Sequence, residues 1–129
     1  MRHLVLDSGG ITALSGTTAS ARARRQEYTA RGILPATVPA VVLVECLTGS
    51  AGRDARTNLF LKGCRVIERT PERLARRAAA LRTLAGRGSA VDAYLVALAE
   101  TLDAAVLTTD PGDLLALAAH TVGVHVEPA

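Results

Sequence analysis

Short apolar runs that end abruptly in polar residues alternate along this chain with segments of helical spacing. That alternation restricts the fold more than any other feature of the sequence. His3–Leu6, Cys64–Glu68, Ala104–Leu107 and Val122–Val126 read as strands, and Thr37–Val38 as a short extended piece. Between them the spacing predicts helices over Gly10–Ser15, Ser20–Arg31, Pro39–Leu47 and Arg53–Leu61. Pro39 suits a first helical position, and Gly49 follows the same segment. An amphipathic helix from Pro71 to Ala85 is broken by Gly86 and Gly88, Ser89 caps a helix to Leu102, and Pro111–Ala119 is the last. Strands separated by helices make βαβ units. The expectation is therefore an α/β fold, a single domain over residues 1–129 with a mainly parallel central sheet covered by helices on both faces. Ligand sites in such sheets lie outside the carboxyl ends of the strands, so polar residues directly after strands are the first to inspect.

Composition narrows the partners. At 129 residues, 49% hydrophobic and 21% charged, the chain is domain-sized, can bury a core without disulfides, and is not of disordered composition. Its longest apolar stretches, such as Ala40–Val44, fall far short of the roughly 20 residues of a spanning helix. The start, Met1 to Asp7, meets an acid too early for a signal-peptide core, so a cytoplasmic location is expected. Cys46 and Cys64 lie in no ligand pattern and read as reduced thiols, and His3, His120 and His125 show no metal spacing. Tyr28, Phe60 and Tyr94 are too few aromatics for stacking single-stranded bases. A nucleic-acid partner would be held by charge and metal instead. The net charge is +3, with Lys62 the only lysine, and arginine's planar fork suits phosphate. Arg22, Arg24, Arg25 and Arg31 on one helix, and Arg73, Arg76, Arg77 and Arg82 on another, read first as solvated faces and second as phosphate contacts.

Four acids stand in unusual places. Asp7 directly follows the strand Leu4-Val5-Leu6, and Glu45 lies inside the apolar stretch Val41–Leu47. Asp92 opens a helix that is apolar nearly all round, and Asp110 follows Ala105-Val106-Leu107 through two threonines, with Asp113 three residues on. Each has a plain explanation. Ser89 and Asp92 fit a capping box, Asp110-Pro111 with Asp113 fits a helix start, Asp7 fits a cap, and Glu45 fits a solvent-facing residue. Capping does not account for Glu45 in mid-helix, however, and no base lies within the Asp7, Glu45 or Asp92 segments. Converging carboxylates without lysine partners form a hard-oxygen site for Mg²⁺ or Mn²⁺.

Val5-Leu6-Asp7-Ser8-Gly9, Val44-Glu45, Val91-Asp92-Ala93 and Leu107-Thr108-Thr109-Asp110-Pro111-Gly112-Asp113-Leu114 together resemble the PIN-domain nucleases, with VapC-type toxins of toxin–antitoxin pairs the closest likeness. The resemblance spans the whole chain, and its most specific part is the Thr-Thr-Asp-Pro-x-Asp-Leu stretch. It implies an acidic quartet of Asp7, Glu45, Asp92 and Asp110, with Asp113 accessory and Ser8 and Thr109 assisting through their hydroxyls. It also implies Mg²⁺ (or Mn²⁺), an RNA substrate, a cognate antitoxin and a homodimer. Metal-activated water would then hydrolyse the phosphodiester, leaving a 5′-phosphate and a 3′-hydroxyl. Gly9-Gly10 departs from the bulkier pair common after the first acid. A phosphoacceptor receiver domain, also α/β, needs a lysine after a late strand, and Lys62 precedes Cys64. A catalytically silent scaffold that binds RNA or protein remains the alternative.

Overall fold

The computed structural model describes residues 3–129; Met1 and Arg2, part of the start read above, lie outside the described residues. Among these residues five strands form one parallel sheet: β1 (Leu4–Leu6), β2 (Thr37–Pro39), β3 (Arg65–Ile67), β4 (Ala105–Thr108) and β5 (His125–Pro128), in the order β3-β2-β1-β4-β5. The α/β class expected from the alternation is the fold observed. Among the described residues seven α-helices connect the strands: α1 (Ser8–Ser15), α2 (Ala19–Ala30), α3 (Leu43–Cys46), α4 (Ala51–Leu61), α5 (Glu72–Ala85), α6 (Ala90–Leu102) and α7 (Gly112–Ala118).

Topology decides which helices cover which face. The chain moves outward from β1 to β2 to β3, then returns across the sheet to β4 on the other side of β1 and continues to β5. Right-handed crossovers running in opposite directions place their helices on opposite faces. Accordingly α1 packs with α2, α3 and α4, while α6 packs with α5 and α7. Both α1 and α6 lie against β1 and β4 as well or against their junction. The core sits between these layers. Leu4, Leu6, Ile11, Leu14, Leu81, Leu95, Leu107, Leu114 and Leu117 are fully enclosed, and Ala93 through Ala99 form a continuous buried run along α6.

Two elements differ from the sequence reading. The helix expected over Pro39–Leu47 is instead the end of β2, a 3-10 turn at Ala40–Val42 and the single turn α3. Val41, Val42 and Val44 are β-branched and weak helix formers, and Pro39 at ψ 134° is extended. The last strand begins at His125, not Val122, because Gly123 turns through a positive φ of 80° first.

Candidate active site

The order of strand connection reverses between β1 and β4, since β1 leads to one side of the parallel sheet and β4 to the other. The carboxyl ends of those two strands form the crevice that an open α/β sheet offers a ligand. The ladder pairs Leu6 with Leu107. The next residues on each strand, Asp7 and Thr108, therefore emerge side by side.

Asp7 is tied down at both oxygens. As the N-cap of α1 it accepts the Gly10 N–H at Oδ1, 2.7 Å, which satisfies one of the free donors at the helix start. Its Oδ2 accepts a short hydrogen bond from the Thr108 hydroxyl. That hydroxyl also accepts the Asp110 N–H at 3.0 Å, so a fully buried threonine links the first acid to the loop of the last. Thr108 was not singled out from the sequence, where Thr109 beside it was. Its signal was positional: the polar terminus of an otherwise apolar strand paired with β1.

The glycines after Asp7 have a steric reason. A Cβ on Gly10 would stand 2.3 Å from the Leu107 carbonyl oxygen, and one on Gly9 would stand 2.2 Å from Thr109 Oγ1. Real Cβ atoms do not approach so closely. The first turn of α1 lies directly on the end of β4; at Gly10 the obstacle is backbone and only glycine fits, whereas at Gly9 the nearest atom is the tip of the Thr109 side chain.

Burial raises the Asp7 pKa above its ordinary 3.8; bonds from Thr108 and Gly10 pull it down, while the charges of Asp92 and Asp110 push it up. Asp7, Asp92 and Asp110 thus share one electrostatic neighbourhood, and the partners of the Asp7 carboxylate are a hydroxyl and an amide, not a base. Asp92 is the third residue of α6 and completes a capping box with Ser89: Ser89 Oγ accepts the Asp92 N–H at 3.0 Å, and Asp92 Oδ2 accepts the Ser89 N–H at 3.4 Å. Asp110 is exposed, and its side chain does not cap α7. Glu45 is exposed on α3 and is not among the charges that act on Asp7. Asp113 is paired with Arg87, whose Nε donates to Oδ1 at 2.6 Å. Ser8 begins α1, and its carbonyl accepts the Thr12 hydroxyl at 3.0 Å.

Hard carboxylate donors without basic partners suit a divalent ion in chemical type. Among the described residues, however, no three His, Cys, Asp or Glu side chains stand close enough to hold one together. A divalent ion held there would have to draw these side chains closer together. A concavity of about 1010 Å³ lies elsewhere, between α2 and α4, lined by Arg22, Arg56, Leu34, Leu59 and Phe60 and by none of these acids.

A family model described as the PIN domain matches residues 4–119. The chain belongs to the PIN-domain family. PIN domains are generally nucleases, typically dependent on divalent metals. The PIN fold here is similar to the crystal structure of PAE2754 from Pyrobaculum aerophilum, at TM-score 0.65 and 16% identity, over 96% of this chain and 90% of that one. It is also similar to the structure of FitAcB from Neisseria gonorrhoeae, at TM-score 0.61 and 18% identity, over 96% of each chain. No curated protein sequence matches this PIN domain. None of its helices is long and apolar enough to cross a membrane, among the described residues.

Proposed function

We propose that this PIN domain, one functional unit over residues 1–129, is the Mg²⁺- or Mn²⁺-dependent endoribonuclease toxin of a toxin–antitoxin pair. The observation that carries the nuclease reading is Asp7. A half-buried carboxylate at the switch point of the sheet is repelled by Asp92 and Asp110 and, among the described residues, has no base beside it. Such an arrangement costs stability and is relieved by a cation. The order of acidic motifs, which resembles that of VapC-type toxins, supports the toxin role, the antitoxin partner, the homodimer and the cytoplasmic location.

Asp7, Asp92 and Asp110 would hold the ion, with Glu45 completing the set from α3. A divalent ion there supplies a bound water of lowered pKa and neutralises charge developing on the phosphodiester. The chain's own residues prepare that step. Thr108 and Gly10 each take one lone pair of an Asp7 oxygen. They fix the plane of the carboxylate and leave a second lone pair on each oxygen for a ligand. The Thr108 bond to the Asp110 amide sets the position of the fourth acidic segment relative to the first.

A second reading, a catalytically silent scaffold, draws on the fact that Asp7 and Asp92 already serve as helix caps. Mn²⁺ titration beside a cleavage assay on single-stranded RNA separates the two. The nuclease binds Mn²⁺ and cuts, and both Asp7→Asn and Asp92→Asn lose the metal and the activity while still folding. Retained cleavage in either variant returns that residue to capping alone.

A further inference from the structure

Arg87 sits at the edge of the acidic site in a loop that is fastened on both sides. Gly86-Arg87-Gly88 joins α5 to α6, and Gly88, at φ +100°, is packed so tightly on α7 that a Cβ would come within 2.8 Å of Leu117 Cδ1. Arg82 of α5 donates from Nε to the Gly88 carbonyl at 2.9 Å. From this anchored loop the Arg87 side chain spans to the first turn of α7, where it meets Asp113. Its Nη2 lies 3.7 Å from the point where a Cβ on Gly112 would stand, and Asp110 Oδ1 lies 4.0 Å from the same point. Among the described residues only Nε of this guanidinium is hydrogen-bonded. The other N–H groups are open on a side chain that is 59% exposed.

Charge gives this placement a consequence. Asp7, Asp92 and Asp110 repel any polyanion that approaches the ends of β1 and β4. An exposed Arg–Asp pair contributes little to stability by itself. A guanidinium held at the rim by one nitrogen, with a pair of donors left over, matches the geometry of a phosphate oxyanion.

We propose that Arg87 binds a backbone phosphate of the RNA strand beside the acidic site, and that Asp113 orients Arg87 instead of ligating metal. This rests on the nuclease reading for the location of the strand. It is tested on the full chain with Arg87→Gln, Arg87→Lys and Asp113→Asn. Anisotropy of a labelled single-stranded RNA oligonucleotide is followed in Ca²⁺ over a salt series, and Mn²⁺ is titrated without RNA. Arg87→Gln is expected to weaken RNA binding about tenfold and to reduce the slope of log affinity against log salt by about 0.7, the value of one single-strand phosphate contact. Arg87→Lys keeps the slope and recovers part of the affinity, because charge returns without the fork. Mn²⁺ affinity is not weakened in any of the three. Unchanged RNA affinity and slope in Arg87→Gln, or loss of Mn²⁺ binding in Asp113→Asn, overturns the proposal. A parent that binds RNA through Arg87 but does not cut it in Mn²⁺ removes the nuclease reading and leaves this one. A parent that cuts RNA while Arg87→Gln binds it unchanged does the reverse, and a parent that binds no RNA removes both.

Discussion

Asp92 stands under two influences of opposite sign. It shares a capping box with Ser89, and its charge helps to hold the Asp7 pKa up. Asp92→Asn keeps the backbone N–H bond to Ser89 Oγ and an amide oxygen able to accept the Ser89 N–H, so it loses chiefly the charge at the helix start, a cost of a few tenths to about 1 kcal/mol. Relief of repulsion on Asp7 offsets that cost. In EDTA the variant should melt no lower than the parent by calorimetry, whereas pure capping predicts a lower melting point with RNA cleavage retained. The cysteines are simpler. Burial pushes the Cys64 thiol up to about 11, so it is protonated at neutral pH, and it lies 3.6 Å from the Phe60 carbonyl oxygen. Cys64→Ser should cost about 1 kcal/mol for the partly buried hydroxyl and leave Mn²⁺ affinity unchanged; altered metal binding would show that the thiol belongs to the site. The acids were legible in the sequence because a charge after an apolar strand is conspicuous. Thr108 was not, since a threonine ending a strand is ordinary until the Leu6–Leu107 register sets it beside Asp7.

At the scale of elements, α2 shows how one helix combines both kinds of arginine. Arg31 pairs with Glu27 at 3.2 Å in an exposed i,i+4 contact, worth only a few tenths of a kcal/mol. Arg25 instead reaches across to α1, donating from Nη1 to the carbonyls of Leu14 and, at 2.6 Å, Gly16. It satisfies acceptors that the end of a helix leaves open. Arg25→Gln should therefore lower the urea midpoint by an equivalent of about 1–3 kcal/mol, while Arg22→Gln stays within about 0.5 kcal/mol. Equal effects would return Arg25 to the solvated face that the sequence suggested. Elements with a long apolar signal, such as α6 and β4, were legible from the chain. Residues 39–47 were not, because a proline and three valines satisfy both an extended segment and a buried helix. The outcome was decided by the pairing of Val38 with Val66 across β2 and β3. Asp54 was also silent in the sequence. It is only 5% exposed and accepts bonds from Thr48 N, Thr48 Oγ1 and Gly49 N, which pin the loop behind α3 and Glu45.

Across the whole molecule, three carboxylates have shifted pKa values, two lowered and one raised, and pH distinguishes them. Glu100 on α6 is held below its ordinary 4.5, first by hydrogen bonds from Arg77, which clasps it at 2.8 and 3.0 Å, with the Val122 N–H also contributing. Asp54 is held below its ordinary 3.8, first by the Thr48 N–H. A lowered folded pKa means that the unfolded chain takes up the proton first. The stability these two groups contribute is present above their ordinary values and is lost as pH falls through the lowered ones. Asp7 acts in reverse. Its folded pKa is raised, so the folded chain takes the proton first, and stability falls as pH rises from 3.8 through the raised value. The two windows meet around the ordinary values of 3.8 and 4.5, so in the metal-free protein the summed contribution of these groups peaks there and declines to either side. Saturating Mn²⁺ favours the ionised form of Asp7 and should move the maximum toward neutrality. Melting temperatures from about pH 3 to about pH 8, in EDTA and in Mn²⁺, measure this directly. Glu100→Gln should blunt the acid limb, lowering the melting temperature near neutrality by about 4 °C for a loss of about 1 kcal/mol from a partly exposed pair. Asp7→Asn should flatten the neutral limb in EDTA and remove the response to Mn²⁺. Identical curves in EDTA and Mn²⁺ would mean that the crowding of Asp7, Asp92 and Asp110 serves no cation.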